Sequence, residues 1–478
     1  MKHPTLTPLA LTVAATLLGG CSMIPAYHRP AAPVAATWPA EPGEPAAAVG
    51  TTAAPDVPWQ TFFADPRLRQ LIGLALANNR DLRVAVLNIE QARAQFQIRR
   101  ADQFPTVGIA AARTPTAVGD GTLNVYSAGL GVSNWELDFF GRLGSLKAAA
   151  RSQYLATEEG RKAAQISLIA SVANGYLNLL ADEELLELTR QTLATREESL
   201  KLTRLRFEHG AASEIDSRDV ESLFAGAQVA LAQQQRQRAQ DENALVLLLG
   251  QPLPEGFFNA SALPQLADAA QLTDLPAGLP SSVLINRPDV RQAEQQLIAA
   301  NANIGAARAA FFPQITLTAQ AGSASTQLSG LFQSGTYGWT LASQLLLPIF
   351  DAGRRQAGLD SANAGRAIAV AQYEKAIQSA FREVADALAG RATLGEQLRA
   401  QQAQAQAESV RYQLSDLRYR NGVASYLDNL DAQRALFAAQ QAVVQTRLLQ
   451  LQNQVLLYKT LGGGWTEAAG ADTRAASP

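Results

Sequence analysis

The sequence predicts a mainly α-helical protein with membrane-compatible β-strands, made from one unit used twice: long coiled-coil helices plus a β-hairpin. Three observations predict it: an internal duplication, two proline-free stretches far longer than a globular helix, and period-two segments just before each of them. Landmarks reveal the duplication. Phe104-Pro105 returns as Phe312-Pro313 and Asp81 as Asp289, each 208 residues later. Gly141-Arg142 returns as Gly353-Arg354, Gly210 as Gly422, Asp216 as Asp428 and Leu249-Gly250 as Leu461-Gly462, each 212 residues later. The offset changes by four residues only once, between the Phe-Pro and Gly-Arg landmarks. A change confined to one place marks a loop there and a fixed register elsewhere.

The N-terminus reads as an address. Leu9 to Leu18 is apolar or small, and Leu18-Gly19-Gly20-Cys21 closes the segment. That run is too short for a membrane helix, which needs about 20 apolar residues. Cys21 is the only cysteine, so no disulfide within the chain explains it. Residues 1–20 therefore read as a lipoprotein signal peptide, cleaved before a Cys21 that carries lipid on its sulfur and a further acyl chain, such as palmitate, on its new amino group. Ser22 in place of Asp resembles the outer-membrane sorting pattern of such lipoproteins. Residues 21–61 then form a lipid-anchored extended arm, rich in Pro and Ala and too poor in large apolar residues to pack a core. The formal net charge of −2 gives no support to nucleic-acid binding. No apolar run of the mature chain reaches membrane-helix length, so any crossing of a membrane has to use strands.

The two repeats are placed at 62–250 and 278–462, with an equatorial linker at 251–277 and a flexible tail at 463–478. Each repeat opens with helix. Leu68, Leu71, Ile72, Ala75 and Leu76 keep helical spacing, Asn78-Asn79 interrupts it, and a second run continues to Phe104. Pro105 and Pro313 stop the helices, because proline cannot continue the hydrogen-bond ladder. Alternation follows: Val107, Ile109 and Ala111 against Thr106, Gly108 and Ala110. In the second repeat Ile315, Leu317, Ala319 and Ala321 alternate with Thr316, Thr318, Gln320 and Gly322, and then Tyr337, Trp339, Leu341 and Leu345 alternate with small or polar residues. These are strands with one apolar face, in hairpins at about 106–139 and 314–351. The turns fall near Gly119-Asp120-Gly121 and Ser329-Gly330, where the four-residue difference belongs. From Gly141 to about Phe207, and from Gly353 to about Tyr419, proline is absent and Ala, Gln, Glu, Leu and Arg dominate. A helix of that length spans about 100 Å. Ile166, Ile169, Ala173, Tyr176 and Leu180 keep the 3,4 spacing of a coiled-coil seam.

One chain supplies four amphipathic strands, yet a sheet in hydrocarbon cannot keep open edges. The smallest usual transmembrane barrels have about 8 strands. The strands therefore demand an oligomer, and on this ground alone two chains or three would serve.

Long motifs then identify a family. Trp59-Gln60-Thr61-Phe62-Phe63-Ala64-Asp65-Pro66, Asn286-Arg287-Pro288-Asp289-Val290, Phe311-Phe312-Pro313-Gln314-Ile315, Pro348-Ile349-Phe350-Asp351-Ala352-Gly353-Arg354-Arg355 and Tyr426-Leu427-Asp428-Asn429-Leu430-Asp431-Ala432-Gln433-Arg434 stand in order along the chain. From about Trp59 to Gly462 it resembles the TolC-type outer membrane factors, in particular the OprM/NodT-like efflux lipoproteins. The resemblance implies a homotrimer whose twelve-strand barrel in the outer membrane is continuous with a periplasmic α-helical barrel. It implies the exit duct of a tripartite pump, partnered by a periplasmic adaptor and an inner-membrane transporter. The lipoprotein branch tilts this towards small-molecule efflux by resistance-nodulation-division pumps. A duct for metal ions or for secreted protein is the alternative, and a pore-free coiled-coil fibre is a further one. No His/Asp/Glu cluster, second cysteine or phosphate loop is present, so no catalytic, metal or cofactor site is expected.

The turns Phe207-Glu208-His209-Gly210-Ala211-Ala212-Ser213 and Tyr419-Arg420-Asn421-Gly422-Val423-Ala424-Ser425 are expected at the periplasmic tip. Asp216 and Asp219 suit a helix's first turns, where carboxylates contribute about 0.3–1 kcal/mol each. The resemblance places Asp428 and Asp431 at a pore-side gate, with Tyr419 and Arg420 as their candidate partners. Ala424 stands where the family's gate sometimes carries an arginine. The resemblance also makes Gly210, Ala211, Gly422 and Val423 the contact for the adaptor's hairpin tip.

Overall fold

Proline, glycine and capping residues set most element boundaries of this computed structural model, which describes residues 22–38, 57–254, 256–257, 265–268, 272, 281–423 and 425–465. The signal peptide, Cys21, Ala424, most of the 251–277 linker and the tail beyond residue 465 lie outside the described residues. The first repeat begins with a short α1 (Trp59–Phe62) and α2 (Pro66–Asn78), whose N-cap Asp65 accepts the Arg67 N–H at 2.8 Å. Then come α3 (Arg80–Ala101), β1 (Val107–Val118), β2 (Gly121–Leu137), α4 (Arg142–Glu208) and α5 (Glu214–Leu249). The second repeat runs α6 (Pro288–Ala309), β3 (Gln314–Ser325), β4 (Tyr337–Leu346), α7 (Arg354–Arg420) and α8 (Tyr426–Thr460). Helices α4 and α7 are 67 residues each, each starting one residue after its expected glycine. Strand β1 turns into β2 at Gly119-Asp120, whereas residues 326–336 join β3 to β4. The four-residue difference is spread over the hairpin and its exit: a longer connection is partly offset by a β4 of 10 residues against a β2 of 17, and six residues rather than three separate the last strand from the glycine before the long helix.

The chain divides into two units. One comprises Met1–Ala32, Leu87–Glu159 and Arg291–Ala376, and the other Pro33–Val86, Gly160–Val290 and Ile377–Pro478.

The first unit holds one antiparallel sheet, ordered β1-β2-β3-β4. Register sorts its faces, since directly paired residues share a face. Val107 pairs with Val132, which pairs with Ala319 and through it with Leu341. Ile109, Leu130, Ala321 and Trp339 form the next row. The opposite face carries Ala112, Ser127, Gly129, Gln320, Gly322 and Thr340, and it is concave. At its centre Gly129 pairs with Gly322. A Cβ on Gly129 would stand 2.4 Å from Ala321 O, and one on Gly322 2.3 Å from Ala128 O. Only glycines allow β2 and β3 to approach this closely. A bulge between Val132 and Trp135, with Asn134 at φ 53°, shifts the alternation so that Trp135 faces with Leu317. Glu136 below it is gripped by Arg142 at 2.8 and 2.5 Å, joining strand end to helix start.

The N-terminal arm, expected to make no core, has no regular element from Ser22 to Trp38 but is docked by side chains. Arg29 donates two hydrogen bonds to Glu294, at 2.6 and 3.0 Å, and the Tyr27 hydroxyl donates a third. Ile24 lies against Gly305, where a Cβ would meet its Cγ1 at 2.6 Å. In the second unit Trp38 packs on Phe381 at 4.5 Å. A few anchors at intervals replace the continuous apolar pattern that signals a core.

The second unit is built on the seam. Ile166, Ile169, Ala173, Tyr176 and Leu180 are all buried, and Tyr176 donates to Asp65 at 2.7 Å. Contrary to the expectation that no mature segment is long and apolar enough to cross a membrane, α4 contains an 18-residue window with mean hydropathy 1.2, of which 61% is buried inside the chain. Its apolar surface serves helix packing. The duplication is also visible as chemistry. Asn79 Nδ2 donates to Leu248 O at 2.9 Å, and Arg287 Nη1 donates to Thr460 O at 2.8 Å. Arg287 occupies the repeat position of Asn79, and Thr460 that of Leu248.

Candidate functional site

Two regions carry functional chemistry: the strand face and the helical turns. On the strands, Val107, Ile109, Leu130, Tyr337, Trp339, Leu341 and Leu345 are exposed and share the face opposite the concave one. Every residue of β4 is exposed. Strands β1 and β4 are the sheet's edges, each with a row of unpaired backbone N–H and C=O groups. An exposed apolar face bounded by open edges is unstable in water and incomplete in lipid.

At the turns the two repeats use the same local device. Gly210 and Gly422 sit at φ 70° and 74°, the left-handed conformation that glycine adopts without a Cβ penalty. Gly210 N–H donates to Phe207 O and Ala211 N–H to Arg206 O, and Gly422 and Val423 repeat the pair on Tyr419 O and Arg418 O. Ser213 and Ser425 then cap α5 and α8, accepting the Asp216 and Asp428 N–H groups at 3.1 and 3.2 Å. Asp216 returns the favour by accepting from Ser213 N–H at 3.0 Å, completing a capping box. Gly210, Ala211, Gly422 and Val423 are exposed, with nothing within 4 Å of where a Cβ would stand on either glycine.

The four gate residues are not brought together within the chain. Asp431 takes its bond from Arg411, whose other terminal nitrogen donates to Glu408 at 3.0 Å. Those bonds, Asp431's first, hold the Arg411 guanidinium pKa above its usual range. Arg420 pairs with Asp416 at 2.8 Å, back along its own helix. The Tyr419 hydroxyl accepts from Arg206, whose guanidinium lies 5.0 Å over the Tyr419 ring. Tyr419 in turn packs on Tyr426 at 4.8 Å, and Tyr426 on the buried cluster of Leu200, Val220, Leu223 and Leu430. Sequence reasoning missed Arg411 and Arg206. Arg411 lies across the α7–α8 hairpin from Asp431 and Arg206 in the other repeat from Tyr419, so only the side-by-side packing of helices could point to them.

Comparison with known proteins places this geometry in context. A family model described as outer membrane efflux protein matches residues 71–251 and 279–463, the two repeats separately. The antibiotic efflux pump outer membrane protein ArpC and the toluene efflux pump outer membrane protein TtgC, both of Pseudomonas putida, are each 49% identical over 477 residues, covering 98% of this chain and 98% of their own. The open-state crystal structure of the Neisseria gonorrhoeae MtrE outer membrane channel superposes with a TM-score of 0.83 at 40% identity, covering 93% of this chain and 99% of that one.

Proposed function

The chain belongs to the outer membrane efflux protein family, and we propose that it is the outer membrane exit duct of a tripartite efflux pump, passing antibiotics, aromatic solvents and similar small xenobiotics to the exterior. The observation that carries this reading is the four-stranded sheet with an exposed apolar face and two open edges. Three copies close those edges into twelve strands, wide enough for a channel, and the concave small and polar face becomes its lining. The partners are a periplasmic adaptor, received at the turns of Gly210-Ala211 and Gly422-Val423, and an inner-membrane transporter of the resistance-nodulation-division type that supplies the energy. Cys21 carries the lipid anchor, and the chain itself catalyses nothing.

A deletion strain tests the function. Dyes, several antibiotic classes and toluene are expected to accumulate in it and to fall to the parental level on return of the gene. Accumulation of copper or silver alone, or retention of a secreted protein, would overturn the substrate assignment. In the same strains a fatty-acid label belongs on the wild-type chain and not on a Cys21→Ser chain.

The gate reading is refined by the ion pair that Asp431 makes. Three Arg411–Asp431 pairs tie α7 to α8 near the turns, while three Asp428 carboxylates form a ring of like charge. We expect Asp431→Ala and Arg411→Ala to raise resting conductance in planar bilayers to a similar degree, and the double variant to add little to either. Arg420→Ala is expected to leave it unchanged. Conductance of Asp431→Ala, Arg411→Ala and the double variant equal to that of the wild type would remove the pair from the gate.

A further inference from the structure

We propose that the outward face of the first hairpin carries a lipid-phosphate site, in which Arg113 grips the phosphate and Tyr126 and Asn124 orient its guanidinium. The proposal rests on the barrel reading above. On the face that such a barrel turns to lipid, the rows are chemically graded. Those of Val107 with Val132, Ala319 and Leu341, and of Ile109 with Leu130, Ala321 and Trp339, are apolar. The next row reads Ala111, Ala128, Ser323 and Tyr337, and the one after it Arg113, Tyr126 and Ser325. The polar row therefore stands at one level on β1, β2 and β3, one row beyond Tyr337, the first residue of β4. Arg113 lies six residues from Val107, about 20 Å along the strand, where an apolar band of about 25 Å comes to its edge.

Arg113 and Glu136 are the only charged residues in the four strands. Glu136 is neutralised by Arg142. Arg113 has no acidic partner among the described residues. Its Nε donates to Asn124 Oδ1 at 3.1 Å, and its guanidinium lies 6.0 Å from the Tyr126 ring centroid. Both terminal nitrogens are left without a hydrogen bond to any described residue. An assembled neighbour would not supply an anion either, since β4 and residues 326–336, which reach the β1 edge from the next copy, contain no Asp or Glu. A planar fork held from behind, at the level of lipid headgroups and with no carboxylate to satisfy it, fits the paired oxygens of a phosphate. The occupant is the phosphorylated sugar headgroup of an outer-leaflet glycolipid.

The test uses full-length trimer reconstituted in phosphatidylethanolamine vesicles containing either diphosphorylated lipid A or its dephosphorylated form. Glycolipid retained per chain is then counted by native mass spectrometry after mild detergent extraction. Wild type is expected to keep the phosphorylated form and not the other. Arg113→Gln should retain about tenfold less of it, as expected for the loss of one charge-assisted fork. Arg113→Lys should fall between, having the charge without the fork. Equal retention by wild type and Arg113→Gln, or equal retention of both lipids, overturns the site. Release of the lipid by millimolar inorganic phosphate would instead assign the site to free phosphate. Planar-bilayer conductance separates the two readings. An Arg113→Gln channel that conducts like wild type leaves the duct standing whatever the lipid count, whereas a wild-type chain that never conducts removes both. If Arg113→Gln fails to assemble, the wild type's choice between the two lipids decides.

Discussion

Gly129→Val and Gly322→Val are each expected to abolish assembled channel, while Gly108→Val and Gly338→Val leave it near the wild-type level. All four glycines lie in strands, and composition gives no reason to separate them. Geometry does. A Cβ at Gly129 would come within 2.6 Å of Gly322 Cα, and one at Gly322 within 2.5 Å of Gly129 Cα. The obstructing atoms are backbone, so no side chain can swing aside. Relief would mean parting β2 from β3 and losing ladder hydrogen bonds of about 1 kcal/mol each. Overpacking usually costs about 1–3 kcal/mol; adding broken ladder bonds takes the expected loss to about 3–5 kcal/mol. At Gly108 and Gly338 nothing lies within 4 Å of a Cβ. The yield of detergent-purified trimer, read by size exclusion, checks this. If the four variants behave alike, close approach is not what these glycines provide.

That contrast also marks how far the sequence could be read. Periodicity and prolines placed the strands and the 67-residue helices to within a few residues, because those signals are local and repeat twice. One apolar face was legible in the alternation of Ile109, Leu317 and Leu341 with small or polar neighbours, and register puts the three together on that face. The pairing of Gly129 with Gly322 joins positions in different repeats, and nothing near either residue announces it. The same holds for Arg411 with Asp431 and for Arg29 with Glu294. Each is fixed by which elements lie side by side, and single-residue chemistry does not encode that. Asp428 and Asp431 were legible as acids at a helix start, but the structure separates their roles. The Asp428 N–H is bound in the Ser425 cap, and the Asp431 carboxylate is tied to a second helix.

The largest stability loss outside the sheet is expected from Arg287→Ala. Its side chain is only 8% exposed and makes four hydrogen bonds: two to Asp289 at 3.1 and 2.7 Å, one to Glu383 at 2.9 Å and one to Thr460 O at 2.8 Å. Burial works against its charge, but the bonds to Asp289 and Glu383 outweigh it and hold the guanidinium pKa above the ordinary value. Truncation removes all four bonds at once and strands a buried carbonyl, the situation in which removing one partner costs about 3–5 kcal/mol. Asp289 and Glu383 are themselves more than a third exposed, so water would recover part of their charge and the lower end of that range applies. Asn79 does the equivalent work in the first repeat with neutral bonds, donating to Leu248 O and accepting the Leu82 N–H at 2.9 Å. Asn79→Ala is therefore expected to cost less, about 1–3 kcal/mol. Arg287→Lys should lie between wild type and Arg287→Ala, because an ammonium keeps the charge but cannot span a carbonyl and two carboxylates as a fixed fork. Denaturant melts of the purified protein followed by circular dichroism give the order. If Arg287→Ala melts no earlier than Asn79→Ala, then the ionic version of the clasp adds nothing to the neutral one, and its charges must be explained by something other than stability.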